Sequence, residues 1–354
     1  MRLTVTPENL LEWIALQINM VPLPLLHAQI FPIVGKAVLE AADKGVFEAV
    51  SEGHQTVAEV ATHCRLHPKA LRELLDLLVV LKYLHYRNGR YTLTRISKRW
   101  VLQENQESVF GMMVFNNRVV WPWLEQLGRY LQTGEGIQYH DHLTSEQWTY
   151  YQNAMLAATG TEAKEFGRKA PVPKTARLML DIGGAHGQHS VALCRRLPHL
   201  QSVILDLPPA IEKAAPLLAQ AGMGERVRHQ PGNALTDDFG ENRYDIVLMS
   251  SLAHHFSDEQ NRAVARKVAN ALKPGGVHII NEFIRPEADG KSGGVGTNLV
   301  GNSMDLFYGL TSTAGNYSVR EIQRWQTDAG LKLFKVKTYL SIPGRAMVVA
   351  QKPG

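Results

Sequence analysis

The stretch Leu252–Glu259, LAHHFSDE, sets two histidines side by side where the apolar run YDIVLMSS ends and the helix-like run QNRAVARKVANAL begins. A neutral imidazole, with an unperturbed pKa of about 6.5, is a serviceable proton acceptor near neutral pH. One of the pair could therefore take a proton from a substrate hydroxyl, or both could be ordinary loop residues. Ser257 and Gln260 have the spacing of a capping box. That pair gives His255 a structural position leading into a helix, and the residues alone leave open which histidine, if either, moves a proton. Glu282, at the end of GVHIINEF, could accept the imidazole's other N–H and orient it. Its plain alternative is a strand-end acid in water. No histidine and acid grouping has metal-ligand spacing such as H-E-x-x-H, so no metal is expected.

A second constellation suits a nucleoside. LMLDIGGAHGQHSVAL carries Gly183, Gly184 and Gly187 between a strand and a helix, where bare backbone can turn sharply and approach a ligand. The dinucleotide fingerprint G-x-G-x-x-G would need glycine at Ile182 and fails. His186 and His189, around this turn, read as incidental, with His186 close enough in sequence to touch a ligand. Asp206 follows nineteen positions after Gly187 in LDLPPAI, where an acid can accept both ribose hydroxyls. Asn233, in QPGNAL, offers a donor and an acceptor to an adenine edge. No G-x-x-x-x-G-K-[ST] loop is present. A nucleoside ligand that needs no phosphate cradle is expected, and S-adenosylmethionine fits.

These residues need a sheet to gather them. From Arg177 onward, RLMLDIG, QSVILDL, RVRHQPG, YDIVLMSS and GVHIINEF alternate with helical stretches, the pattern of a parallel sheet covered on both faces. LKLFKVKTYL and RAMVVAQK, separated by SIPG, predict an antiparallel pair at one edge. Ahead of them, residues 36–100 predict three helices and a hairpin turning at Asn88-Gly89, a winged helix. Thr56 and Glu59 make a capping box, and Pro68 opens a helix. A winged helix invites a DNA-binding reading. The candidate recognition helix bears Lys69, Arg72 and Lys82, but also Glu73 and Asp76, and lacks the basic stripe that phosphate contacts need. Residues 101–170 predict aromatic-rich helices in which core and pocket-lining residues cannot be sorted.

The bulk numbers exclude little else. A net charge of +5 over 354 residues does not by itself call for nucleic acid or an acidic membrane. Two cysteines, Cys64 and Cys194, suit neither a zinc site nor a disulfide framework, and a reducing cytoplasm is the simplest home. No secretory signal is visible at the N-terminus. The apolar run IALQINMVPLPLLHAQIFPIVGKAVLEAA contains three prolines and several polar residues, so a membrane span is not expected. It reads either as a subunit interface or as a core helix within one chain.

DIGGAHG, DLPPAI, GNAL, LAHHFSDE and GVHIINEF together resemble the class I S-adenosylmethionine-dependent O-methyltransferases. More narrowly, the chain is similar to the dimeric branch of plant phenolic and bacterial natural-product enzymes, over nearly its whole length. The resemblance implies a winged-helix dimerisation domain over 1–100, a helical region contributing to the substrate pocket over 101–170, and an α/β Rossmann-like domain over 171–354. It implies a homodimer acting on a small phenolic or polyketide-like acceptor. It assigns cofactor contacts to Gly183, Asp206, Asn233, Ala234 and Ser250, and Gly184, Gly187 and Leu207 complete the expected cofactor site. It makes His254 the general base and Glu282 its partner. His255 stands where the family has an aspartate, and Asn316 stands where it has a second glutamate. Met304, Asp305, Phe307 and Tyr308 could face the acceptor or belong to a helix core. The rivals are a C-methyltransferase, a cofactor-binding enzyme that transfers no methyl group, and a DNA-binding regulator.

Overall fold

The computed structural model describes residues 6–287, 298–312 and 314–354. The chain divides into two compact units, Arg2–Trp121 with Asn153–Ala158, and Pro122–Gln152 with Thr159–Gly354.

In the first unit, helices Phe31–Asp43, Val46–Ser51, Val57–Cys64 and Pro68–Val80 precede the hairpin β1 (Leu84–Arg87) and β2 (Arg90–Leu93). Local signals in the sequence account for the boundaries. Thr56 Oγ1 accepts the Glu59 N–H, and the Glu59 carboxylate accepts the Thr56 N–H in return. Asn88 and Gly89 take the positive φ values, 50° and 77°, that a two-residue hairpin turn requires. Helix Pro68–Val80 buries Leu71, Leu75 and Leu78, and on its other side Arg72 pairs with Asp76 at 3.2 Å. The unit does not end near residue 100. Asn117 donates to Glu40 and Asp43, and Arg118 pairs with Asp43, so the helical turns after Phe110 are stitched onto helix Phe31–Asp43.

The apolar N-terminal run is helical from Leu23 to Asp43, long and apolar enough to cross a membrane, yet only 11% of that stretch is buried. Leu10, Leu11, Trp13, Leu25, Ile30 and Ile33 are all exposed. The reading as a core helix holds only for the end of the run, where Ala41 and Ala42 are buried in the core of the first unit with Val38 and Leu39 packed against it. An exposed apolar surface of this kind is the mark of an interaction face.

The second unit is a seven-stranded sheet. Its strands are β3 (Leu178–Ile182), β4 (Gln201–Asp206), β5 (Val227–Pro231), β6 (Tyr244–Ser250), β7 (Leu272–Phe283), β8 (Lys332–Thr338) and β9 (Arg345–Gln351). Their order is β5-β4-β3-β6-β7-β9-β8, parallel through β7 and antiparallel for β9 and β8. Alternate residues feed a separate core on each face. Leu180, Ile182, Val247, Met249 and Ile280 belong to one; Met179, Ile204, Ile246, Leu248 and Ile279 belong to the other. The chain order reverses at β3, which lies between β4 and β6. The crevice outside the carboxyl ends of these strands is where open α/β sheets take ligands.

His278, in the middle of β7, is fully buried, and neither ring nitrogen has a hydrogen-bond partner among the described residues. Burial pushes its pKa down to about 3. The unfolded chain protonates this imidazole near pH 6.5 while the folded chain resists until about 3. The folded state therefore loses stability as pH falls through that window. His278→Leu should lessen the drop in urea-melt stability between pH 7 and pH 5 by roughly 2 kcal/mol.

Candidate functional site

The glycine turn after β3 is shaped by close approaches. Gly183 has φ +68°, and its N–H donates to Leu205 O at 2.8 Å, tying the turn to β4. A Cβ on Gly184 would lie 2.5 Å from the Asp181 carboxylate carbon. Gly187 has φ +72° and opens helix Gln188–Arg196; a Cβ there would strike Ile204 at 2.7 Å. Between them Ala185 is held at φ +44°, a conformation that costs roughly 1–2 kcal/mol in a residue with a Cβ. Two bonds hold it there. Its N–H donates to Asp206 Oδ2 at 2.9 Å, and its carbonyl faces His229 Nε2 at 2.7 Å.

Asp206 ends β4 and accepts the Leu207 N–H on its other oxygen at 2.8 Å. Burial raises its pKa, against the lowering effect of these two backbone bonds. Each carboxylate oxygen retains a lone pair, which suits two ribose hydroxyls. Leu207 is half exposed beside it. Beyond β5, Asn233 Oδ1 accepts the Leu235 N–H at 2.9 Å. The Ala234 carbonyl accepts from Lys267 Nζ at 2.6 Å. Ser250 is the departure. Its hydroxyl accepts from Asn281 and Arg345, both at 3.0 Å, so it belongs to a buried polar cluster.

The second constellation lies after β6. His254 and Glu282 are both 3% exposed, and His254 Nδ1 stands 3.1 Å from Glu282 Oε2. The other Glu282 oxygen accepts the Ala253 N–H at 2.8 Å. Glu282 is thus not the solvent-exposed strand-end acid of the alternative reading. A carboxylate only accepts, so Nδ1 carries the proton and Nε2 is the basic nitrogen. The Tyr308 ring stacks on the imidazole, 3.7 Å between centroids and 12° between planes. His255 lies 4.2 Å from His254, and His140 lies 4.6 Å from His255. Burial pushes the His140 imidazole down to about 4 and that of His255 well below the usual range, with His254 nearby adding to both effects. Tyr139, Trp148 and Tyr151 pack around His140. Burial pushes the Tyr151 phenol up to about 12. The result is a neutral, largely aromatic wall next to one acid–base pair.

The O-methyltransferase domain family matches residues 130–331, and the O-methyltransferase dimerisation domain matches residues 29–103. The chain belongs to the O-methyltransferase family. It is 27% identical to the 3-hydroxy-5-methyl-1-naphthoate 3-O-methyltransferase of Streptomyces sahachiroi, over 88% of this chain and 89% of that one. It is 25% identical to the N,N-dimethyltransferase OxyT of Streptomyces rimosus, over 90% and 93%. Its fold is similar to human N-acetylserotonin methyltransferase solved with S-adenosylmethionine, with a TM-score of 0.81 at 18% identity, covering 99% of this chain and all of that one. The O-methyltransferase is S-adenosylmethionine-dependent, and the two free acceptor positions on Asp206 fit an adenosyl group.

Several buried contacts near the site lay beyond sequence reasoning. His189, read as incidental, stands 3.1 Å from Glu162. Glu162 also accepts from Asn281 at 2.6 Å and lies 3.0 Å from Arg345 Nε. Burial alone would raise the Glu162 pKa, but Arg345 and then His189 hold it down to about 2. Tyr339 donates to Asn281 at 2.9 Å. Asn316, in the place of the family's second glutamate, is buried, and its N–H donates to Asp305 at 2.8 Å. Nothing in the local sequence marks Glu162 or Arg345 as partners of Asn281. Tyr308 was visible only as one of several candidates on its helix.

Asp206→Ala removes the acceptor offered to the ribose hydroxyls. Calorimetry should find S-adenosylhomocysteine bound at least about tenfold more weakly, the effect of losing hydrogen bonds to a charged group. Unchanged affinity would move the cofactor site elsewhere.

Proposed function

We propose that this O-methyltransferase acts as a homodimer on a small phenolic or polyketide-like hydroxyl acceptor, with His254 as the general base and Glu282 as the group that orients it. The observation that carries this reading is the buried His254–Glu282 pair beside an aromatic wall. S-adenosylmethionine, when bound, supplies an electrophilic methyl group on a sulfonium. Gly183, Gly184, Gly187, Asp206, Leu207, Asn233 and Ala234 are the residues that would hold it, at the carboxyl ends of β3, β4 and β5. Ser250 supports the end of β6 from behind.

His254 Nε2 accepts the proton that the acceptor hydroxyl gives up. Glu282 fixes the tautomer and stabilises the imidazolium as it forms. Tyr139, His140, Trp148 and Tyr151 offer flat, largely apolar surface to a planar acceptor. The naphthoate acceptor in the name of the Streptomyces sahachiroi relative is of this class. The dimerisation domain and the exposed apolar helices before Asp43 favour a second copy of the chain as the cover for that face. Cys64 and Cys194 are free thiols, which suits the reducing cytoplasm. A methylated amine or carbon is the second reading, favoured by the N,N-dimethyltransferase relative; product analysis separates it.

His254→Ala should lower kcat on a phenolic acceptor by about 10²–10⁴-fold, the usual contribution of a general base. Calorimetric affinity for S-adenosylhomocysteine should stay as in the wild type. Full activity near neutral pH would show that holding the reactants together is sufficient.

A further inference from the structure

The face-to-face stack of Tyr308 on His254 is an odd choice for two neutral rings. At 3.7 Å and 12° their like-signed faces oppose each other, and aromatic pairs prefer offset or edge-on arrangements. The same stack is well suited to a cation, because the face of a phenol ring attracts positive charge. The interaction strengthens when the imidazole is protonated, the state reached as an acceptor hydroxyl yields its proton. An interaction that is stronger after proton transfer lowers the barrier instead of merely tightening binding.

The other groups around the imidazole leave room for this role. Glu282, from β7, engages Nδ1. His255, from the same turn, and His140, from the turn Tyr139–Asp141, add no charge while neutral and oppose a second cation. Arg345, from β9, faces Glu282 and Tyr308 and works against the imidazolium. Asn316 is bound to Asp305 and supplies no carboxylate. Tyr308 is half-buried, and its desolvation raises the phenol pKa and keeps the ring neutral.

We propose that Tyr308 is a positioning residue that stabilises protonated His254 through its ring face, where Asn316 offers no carboxylate. This proposal rests on the reading of His254 as the base. In one step the O–H bond of the acceptor breaks, its electron pair stays on the acceptor oxygen, and the proton joins His254 Nε2.

The test follows the His254 side-chain resonances by NMR in histidine-labelled protein with S-adenosylhomocysteine bound, assigned with His254→Gln. Tyr308→Leu should move the His254 titration midpoint to lower pH by about half a unit to one unit, the equivalent of one lost cation–π contact. Tyr308→Phe, which keeps the ring face, should leave it in place. The acid limb of the kcat profile should move with it in the Leu variant. Calorimetric affinity for S-adenosylhomocysteine serves as the folding check for both. An unmoved midpoint in the Leu variant, or equal movement in Leu and Phe, overturns the proposal. A midpoint that moves while the kcat profile does not supports the stack and sinks the assignment of the base.

Discussion

Glu282 ends β7 with its carboxylate turned inward, and each oxygen has a separate task. One accepts the Ala253 N–H and fixes the short turn Ala253–His255; the other stands 3.1 Å from His254 Nδ1. The turn and the ring it carries are therefore aligned by one group. Asn261 completes the frame by donating to the carbonyls of Ala253 and Phe256. A carboxylate at this depth demands donors for both oxygens. The backbone and the imidazole are the two that supply them.

The strand period determines what lies behind that group. Asn281, one residue earlier, projects to the opposite side of β7 and meets Ser250, Glu162 and Tyr339. Glu162, His189 and Arg345 come from two helices and a strand widely separated in sequence. Buried ion pairs of this sort contribute little net stability, because desolvation offsets their attraction. Their effect here is geometric: they pin the end of β7 in register with β6 and β9, and so fix the place of Glu282. The strand that carries Glu282 is thus tied to β6 and β9 through a buried polar network.

Much of this was legible in the residues. Strands β3, β4, β6, β7 and β9 each carry a short apolar run, and the Thr56 and Ser257 capping boxes mark helix starts by local chemistry. The glycine turn, Asp206 and the His254–Glu282 pair follow from the rule that parallel strands present their carboxyl ends at one edge. What was not legible depends on contacts across long separations. Nothing around Ser250 says that its hydroxyl meets Arg345, ninety-five residues later. Tyr308 sits on a helix whose period allows several residues to face the site, and only the fold selects one. The N-terminal helices looked equally suited to a core or an interface; the structure buries their end, around Ala41 and Ala42, and leaves residues such as Leu10, Leu25 and Ile33 exposed.

The most direct test of the account is the tautomer of His254. Nitrogen-15 imidazole spectra of the protein with S-adenosylhomocysteine bound, above the pH at which the ring is charged, should show Nδ1 protonated and Nε2 bare, and Glu282→Gln should disturb that state. A proton on Nε2 instead, with Nδ1 bare and the spectrum indifferent to Glu282, would contradict it.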